Sequence, residues 1–319
     1  MSTLDTPNSN PVALIAGPTA SGKSALAVDL GQALKKAGQT GVVINADSAQ
    51  VYSDLSVLSA RPAEKEMGGI EHRLFGAWDG AWACSAADWA KRSKDEIAAC
   101  HDAGEVPILV GGTGLYFKVL LEGIAPIPEI DPAVRMATRE LSTEAAYAAL
   151  QIEDPERAAE LNPADSQRIA RALEVKRSTG VTLGEWQMSK SGGIAEDITL
   201  HPAVLEPERE WVYRRCDQRF GQMVENGAVE EVEALLARNL DDGLPVMRAI
   251  GVPELSEYLA GRLSMADAII GARQSTRNYA KRQFTWFRNQ LAPEWPRIPM
   301  DEGNNNIDVN TIFARLLQI

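Results

Sequence analysis

The hydrophobic pattern of the first half of the chain alternates short apolar runs with glycine-rich or polar segments. Residues 12–16, 42–44 and 106–110 are continuous apolar runs with the length of buried parallel strands. A helix is predicted at about residues 23–37, and another helix after the third run. Strand, turn and helix repeated in this order predict an α/β fold, in which a parallel sheet is flanked by helices. Ligands of such sheets bind at the carboxyl ends of the strands.

The pattern changes after residue 125. Residues 131–179 are rich in Ala, Glu and Arg, have helical spacing and contain no strand candidate. An α-helical insertion domain is therefore predicted, followed by a last strand at residues 203–205 and helices to about residue 291. The predicted divisions are a loose tail at 1–11, an α/β core at 12–125 and 201–295, the insertion at 126–200 and a tail at 296–319. That last tail is predicted to be irregular apart from an amphipathic segment near 307–317.

Composition excludes several classes of protein. The chain has 319 residues, of which 45% are hydrophobic and 24% charged, as in ordinary globular proteins. The three cysteines are far apart, which argues against a disulfide framework or a zinc site. No membrane span is predicted because no run of about 18 apolar residues occurs, and a cytoplasmic location is expected. The net charge of −12 argues by itself against nucleic-acid binding, although a local basic stripe can survive such an average.

A glycine-rich turn directly after the first strand matches the phosphate-binding pattern GxxxxGK[ST]. Its backbone N–H groups and the following helix N-terminus favour phosphate, Lys23 can neutralise a diphosphate, and Ser24 can hold Mg²⁺. By motif this is an ATP-binding loop in a P-loop NTPase-like sheet. However, the strand at 106–110 ends in Gly-Gly-Thr and lacks the usual acidic residue, so another diphosphate is possible. The loop residues are Gly17, Pro18, Thr19, Ala20, Ser21, Gly22, Lys23 and Ser24.

Asp47 follows the second strand and is expected to face the phosphate loop. Its carboxylate has three possible roles there, as a general base, as a Mg²⁺ ligand or as a helix N-cap. Ser48, Gln50 and Tyr52 place polar and aromatic groups beside it. Amide side chains can pair with adenine edges, and aromatic rings can stack on bases.

Eight segments occur in an order that spans about residues 12–290. They are the phosphate loop, 45–52 (NADSAQVY), 85–89 (SAADW), 107–117 (PILVGGTGLYF), 154–159 (DPERAA), 167–175 (QRIARALEV), 218–220 (QRF) and 276–286 (TRNYAKRQFTW). Together they resemble the bacterial tRNA dimethylallyltransferases, also called tRNA isopentenyltransferases. This resemblance is far more specific than the phosphate loop alone.

The resemblance implies a donor, dimethylallyl diphosphate with Mg²⁺, and an acceptor, N6 of the adenosine 3′-adjacent to the anticodon (position 37) of the tRNA anticodon stem-loop. It implies that Asp47 acts on N6 and that Thr19 and Arg219 handle the diphosphate. No stable protein partner is implied, and a monomer is expected. The positions implied to contact tRNA are Asp47, Ser48, Ala49, Gln50, Thr113, Arg135, Gln167, Arg168, Ile169, Ala170 and Arg171.

Basic residues spaced by four, four and seven mark one face of a predicted helix, namely Arg273, Arg277, Lys281 and Arg288. They form either a solvated helix face or a ridge that follows tRNA phosphates, and Arg277 and Lys281 are assigned to tRNA. The neighbouring aromatic residues are expected to lie mostly in the core.

Two other functions remain open on the residues alone. An ATP-dependent kinase for a small metabolite would use the same loop, with Asp47 as base for a hydroxyl group. A nucleotide-binding module would sense ATP without chemistry. ATP turnover would identify the kinase, and RNA binding that weakens steeply with salt would identify the transferase.

Overall fold

The computed structural model describes residues 10–303 and 307–318, so most of the predicted 1–11 tail lies outside the described residues. The strands are β1 (Pro11–Ala16), β2 (Gly41–Asn45), β3 (Glu71–Arg73), β4 (Val106–Gly111), β5 (Gly123–Ile124), β6 (Ser191–Gly192), β7 (Thr199–Pro207) and β8 (Arg297–Met300). The helices are α1 (Lys23–Lys36), α2 (Ala86–Asp102), α3 (Gly114–Glu122), α4 (Pro132–Arg139), α5 (Thr143–Glu153), α6 (Pro155–Glu160), α7 (Ser166–Thr179), α8 (Leu183–Gln187), α9 (Arg209–Glu225), α10 (Ala228–Ala237), α11 (Val252–Leu259), α12 (Met265–Gln290) and α13 (Val309–Ile312).

Six strands form one parallel sheet in the order β3-β2-β4-β1-β7-β8. The predicted α/β fold is confirmed, and the four predicted strands all lie in this sheet. In β1, residues 12–16 are fully buried, which explains why this strand has a continuous apolar sequence. The short edge strand β3 was not predicted because Glu-His-Arg carries no apolar signal.

The prediction of an irregular segment directly after residue 295 is wrong. Residues 297–300 form β8, which pairs in parallel with β7 at the edge of the sheet. Pro299 can be part of it because an edge strand has one row of backbone groups that need no partner strand. The amphipathic segment near 307–317 is confirmed, since Val309, Phe313 and Leu316 are buried in the main core at helical spacing.

The chain divides into two compact units. One comprises the residues up to Leu120 and those from Ala195 onward, and the other is Leu121–Ile194. The second unit contains α4 to α8 and the short β5–β6 pair, and its core includes Leu150, Ile169 and Leu173. The sequence placed the insertion at 126–200, whereas residues 199 and 200 belong to β7 of the main sheet.

Among residues 10–303 and 307–318, no helix is both long enough and apolar enough to cross a membrane.

Candidate active site

The carboxyl ends of β1, β2 and β4 meet at one edge of the sheet, where the site lies. The ends of β2 and β4 approach so closely that a Cβ atom on Gly111 would overlap the backbone of Ala46. The N–H of Thr113 donates to the carbonyl of Ala46 (3.2 Å) just beyond that point. This close approach requires a residue without a side chain at position 111, which accounts for one glycine of the Gly-Gly-Thr sequence.

The phosphate loop between β1 and α1 is tightly curled. Ala20 (φ 61°) and Gly22 (φ 92°) both have left-handed backbone conformations, which an alanine adopts only at some cost. The Nε–H of Arg215 donates to the Ala20 carbonyl (2.8 Å), and Nζ of Lys23 donates to the Pro18 carbonyl (3.3 Å). Burial lowers the pKa of Lys23, while the negative charge of Asp47 opposes that shift. The loop therefore holds a buried amine beside its own backbone.

Arg219 extends from α9 to the phosphate loop. Its Nη2 donates to the hydroxyl oxygen of Thr19. Burial lowers the pKa of Arg219, and the nearby Cys216 and Asp47 oppose the shift, yet an arginine remains charged at neutral pH. The structure thus brings together Thr19, Arg219 and Asp47, the three residues to which the family resemblance gives a chemical role.

Asp47 is buried and its backbone is fixed by the side chain of Asn45. The Asn45 Oδ1 accepts from the Asp47 N–H (2.9 Å), and its Nδ2 donates to the Asp47 carbonyl (3.1 Å). Asp47 Oδ1 accepts the Ala49 N–H (3.0 Å), but residues 48–51 form a turn, so the helix N-cap interpretation is wrong. No hydrogen bond to Oδ2 of Asp47 occurs within the described part of the chain, which leaves this oxygen for a substrate or a cation.

Ser48 and Thr113 join the ends of β2 and β4 beside Asp47. The Ser48 N–H donates to Thr113 Oγ1 (2.9 Å), whose hydroxyl donates to Ser48 Oγ (3.1 Å). The Tyr279 side chain lies at the same place, and its pKa is raised by burial first and by the charge of Asp47 second. A neutral phenol at this position is available as a hydrogen-bond donor throughout the neutral range.

Residues 56–60 form a loop that is held from two sides. Nε2 of Gln50 donates to the carbonyls of Ser59 (3.0 Å) and Ala60 (2.9 Å). The Glu231 carboxylate on α10 accepts the N–H groups of Ser56 (2.5 Å), Val57 (2.8 Å) and Leu58 (2.9 Å). Because the Gln50 amide is engaged with the loop, contact of this amide with a base would require it to leave these partners.

Replacing Glu231 with alanine should destabilise the protein by about 2 kcal/mol, because three loop N–H groups and the Ser56 hydroxyl lose their acceptor. Urea unfolding followed by circular dichroism would measure the change. The matched control is Glu233→Ala on the exposed side of the same helix, which should change stability by less than about 0.5 kcal/mol. Equal effects of the two substitutions would show that the Glu231 contacts contribute nothing to stability.

Two cavities adjoin each other at the phosphate loop and Asp47. The first has a volume of about 300 Å³ and the second about 460 Å³, and Thr19, Asp47 and Arg219 line both. The second is polar and contains Lys23 and Ser24 of the phosphate loop. The apolar wall of the first is formed by Leu55, Leu58, Phe220, Met223 and Ile250. A molecule with a diphosphate at one end and an apolar group at the other matches this division.

The tRNA positions suggested by the sequence lie in several places. Ser48 and Ala49 line the first cavity, and Gln50 lines the second. Arg277 on α12 pairs with Asp217 (2.7 Å), while Lys281 is exposed. In the second compact unit, Ile169 is fully buried in the core. The prediction that its side chain contacts tRNA is therefore wrong, and the residue has a structural role. The exposed members of that unit are Arg135, Gln167, Arg168 and Arg171, and Ala170 is half-buried.

Several residues of the site were not identified from the sequence. Arg282 and Cys84 line the first cavity, and burial raises the pKa of the Cys84 thiol to about 11, so the thiol is neutral at physiological pH. Tyr279 was assigned mainly to the core. Gln283 accepts the N–H of Thr19 in the phosphate loop. Thr276, Tyr279 and Gln283 are spaced by three and four residues, which places them on one face of α12. This spacing is the sequence signal that these three residues face the same part of the protein.

Comparison with known proteins gives a consistent result. The IPP transferase family matches residues 50–290. A tRNA dimethylallyltransferase of Erythrobacter litoralis is 62% identical over 90% of this chain and 91% of its own, and one of Novosphingobium aromaticivorans is 61% identical over 88% and 98%. A tRNA isopentenylpyrophosphate transferase structure from Bacillus halodurans has 30% identity and a TM-score of 0.66 over 97% of this chain and 95% of its own.

A eukaryotic dimethylallyltransferase, studied in crystals as it acts on tRNA, is similar over 91% of this chain and 73% of its own. Its sequence identity to this chain is 26% and the TM-score is 0.75. The sequence motifs, the parallel sheet and these relatives agree, and the chain belongs to the IPP transferase family of tRNA dimethylallyltransferases.

Proposed function

We propose that the protein transfers a dimethylallyl group from dimethylallyl diphosphate to N6 of adenosine 37 in tRNA and releases diphosphate. The observation that carries the proposal is that Thr19, Asp47 and Arg219 border both the first cavity, which has an apolar wall, and the polar second cavity at the phosphate loop. Family membership and the names of its relatives support the same activity. The reaction itself takes place in the cytoplasm, where tRNA is modified, and the enzyme acts as a monomer.

The donor places its diphosphate in the second cavity. Lys23 and Arg219 contribute positive charge there, and the N–H groups of the loop add further donors at the N-terminus of α1. As the bond between the donor C1 and its diphosphate oxygen breaks, negative charge collects on the leaving group. Preorganised charges stabilise that state more than the ground state, so these residues lower the barrier.

The dimethylallyl group of the donor lies against the apolar wall of the first cavity, and the acceptor adenine enters the same cavity on the side of Tyr279. The N6 lone pair is delocalised into the purine ring and attacks C1 of the donor effectively only if a proton leaves N6. Asp47 Oδ2 accepts this proton, so that one N–H bond and one C–O bond break while one C–N bond forms. Taking the base out of its loop costs a few kcal/mol, and less than it would in a duplex.

The residues of the second cavity suit a magnesium ion that arrives with the diphosphate. The Ser24 hydroxyl lines this cavity together with the carboxylates of Asp47 and Glu66. No cluster of three or more His, Cys, Asp or Glu residues that could hold a metal occurs in the described ranges, and Mg²⁺ usually needs only one or two protein ligands beside phosphate oxygens and water. When bound, the ion would neutralise part of the charge on the leaving diphosphate.

Two groups of residues would contact the anticodon stem-loop. The exposed ones are Lys281 in the main unit and Arg135, Gln167, Arg168 and Arg171 in the second unit. The half-buried ones are Ser48, Ala49, Gln50, Thr113 and Ala170, together with Arg277 once it is released from Asp217. Arg168 and Arg171 have only weak partners on their own helix, Asp165 (3.5 Å) and Glu174 (3.7 Å), so both remain available to phosphates.

The test is to incubate the purified protein with Mg²⁺, dimethylallyl diphosphate and an unmodified anticodon stem-loop, and to analyse the nucleosides by mass spectrometry. A prenylated adenosine is expected with adenosine at position 37. The matched control stem-loop carries inosine there, which has no N6 amine and should give no product. In a parallel incubation that also contains ATP, hydrolysis of ATP without any prenylated adenosine would overturn the proposal and favour the kinase.

A further inference from the structure

We propose that Gln283 is a positioning residue of the transfer reaction, which holds the phosphate loop at the Thr19 peptide so that the Thr19 hydroxyl and Arg219 face the leaving diphosphate. This inference rests on the proposed function. It concerns a side chain on α12 that lines neither cavity but joins the helix to two of the loops that form them.

The oxygen and the nitrogen of the Gln283 side-chain amide each make one hydrogen bond to the backbone. Its Oε1 accepts the N–H of Thr19 in the phosphate loop (2.8 Å), and its Nε2 donates to the carbonyl of Gly112 after β4 (2.9 Å). The side chain is 4% exposed. A Cβ atom on Gly112 would overlap the Gln283 Nε2, so the glycine at 112 makes room for this contact. The second glycine of the Gly-Gly-Thr sequence is thereby explained.

The chemistry of the two partners determines the orientation of the amide. A backbone N–H can only donate and a backbone carbonyl can only accept, so the side chain between Thr19 and Gly112 must carry one acceptor and one donor, as the glutamine amide does. An ionised glutamate would lose the donor and place negative charge against the Gly112 carbonyl. A methionine would have a similar shape but would leave both buried backbone groups unpaired.

The hydrogen bond between Gln283 and Thr19 affects the site because it helps to fix Thr19 in place. Its N–H is held by Gln283, and its hydroxyl accepts from Arg219, so the residue is fixed on both its backbone and its side chain. Thr19 lines both cavities, at the border where the donor C1 must lie. α12 also packs against α9, which carries Arg219, and presents Thr276, Tyr279 and Arg282 to the first cavity. Through Gln283 the acceptor side and the diphosphate side of the site share one rigid helix.

The first test is Gln283→Met, with Gln290→Met at the exposed end of the same helix as the control. We expect Gln283→Met to lower kcat by about 10- to 100-fold, which is less than the roughly 10²- to 10³-fold cost of losing a donor that touches the reacting atoms, and to leave the Kd for the stem-loop unchanged. We also expect faster hydrogen exchange in a peptide that covers residues 12–26, measured without substrates. Gln290→Met should change neither quantity.

The second test uses Gln283→Glu and the ratio of its kcat to that of the wild type at pH 6 and pH 8. A buried carboxyl group in this position has a raised pKa, and its protonated form can both accept from Thr19 and donate to Gly112. The ratio should therefore rise several-fold on acidification, whereas the ratio for Gln283→Met should stay constant. This readout does not depend on how much either variant is destabilised, provided that circular dichroism shows both folded.

A lower melting temperature with unchanged kcat would overturn the inference and leave Gln283 a purely structural residue. A ratio for Gln283→Glu that does not respond to pH would also overturn it. If the wild-type protein makes no prenylated adenosine, the proposed function fails, and the hydrogen-exchange result alone then decides whether Gln283 holds the loop.

Discussion

Asp47→Asn should lower kcat by about 10²- to 10⁴-fold while the stem-loop still binds with the wild-type Kd. Asparagine has the same shape and can accept the Ala49 N–H as Asp47 does, so the turn at residues 48–51 should be kept. It cannot take a proton from N6, and general-base help of this kind accounts for the size of the loss. Single-turnover rates at saturating donor would measure kcat separately from binding.

The matched control for Asp47→Asn is Asp29→Asn on the exposed surface of α1, which should leave kcat unchanged. Circular dichroism should show no loss of structure in either variant. A wild-type rate for Asp47→Asn would remove Asp47 as the base, and a weakened Kd for RNA with a normal single-turnover rate would assign Asp47 to tRNA binding alone.

Lys23→Met should lower kcat/KM for dimethylallyl diphosphate by about 10²- to 10³-fold, because the leaving diphosphate loses a preorganised positive charge. Methionine retains most of the length of the side chain and avoids a cavity. Since burial lowers the pKa of Lys23, the free enzyme holds this amine in an unfavourable environment. The substitution should therefore leave the melting temperature unchanged or raise it, so that lost activity cannot be assigned to unfolding.

Lys36→Met at the other end of α1 is the control for Lys23→Met, because Lys36 is exposed and remote in sequence from the loop. It should leave kcat/KM for the donor unchanged. Equal activity of Lys23→Met and the wild type would mean that the loop does not bind the diphosphate. The stem-loop Kd serves as a further check, since it should be the same for all three proteins.

The strands in the middle of the sheet could be predicted from the sequence because their residues are buried on both faces. The runs at 12–16, 42–44 and 106–110 are apolar because both faces of the sheet are covered, and such runs can be recognised without knowing their partners. The phosphate loop was identified by its GxxxxGK[ST] motif directly after a strand, and Asp47 by its position at the end of the next strand. The edge strands β3 and β8 were missed because their stability comes from pairing with β2 and β7, which are distant in sequence.

The contacts within the site were less accessible to sequence reasoning. Gln283 lies 264 positions from Thr19, and a polar residue on a helix that also bears Lys281 and Arg288 resembles a solvated one. The insertion boundaries were misplaced by several residues because β5 and β6 contain only two residues each and carry little pattern. In both cases the deciding interaction is between residues far apart in the chain, which spacing alone does not reveal.

The position of α12 in the chain has a consequence for biosynthesis. The phosphate loop, Asp47 and the end of β4 leave the ribosome early, but β7 completes its pairing with β1 only after residue 199, and Gln283 reaches Thr19 later still. Contacts of such long sequence separation form slowly, because the intervening chain must first be ordered. A nascent chain therefore exposes an unpaired edge of β1 during most of its synthesis, which is the stage at which aggregation and chaperone binding compete with folding. A premature stop before residue 283 would leave a protein with all the residues of the phosphate loop and no buried amide to hold them.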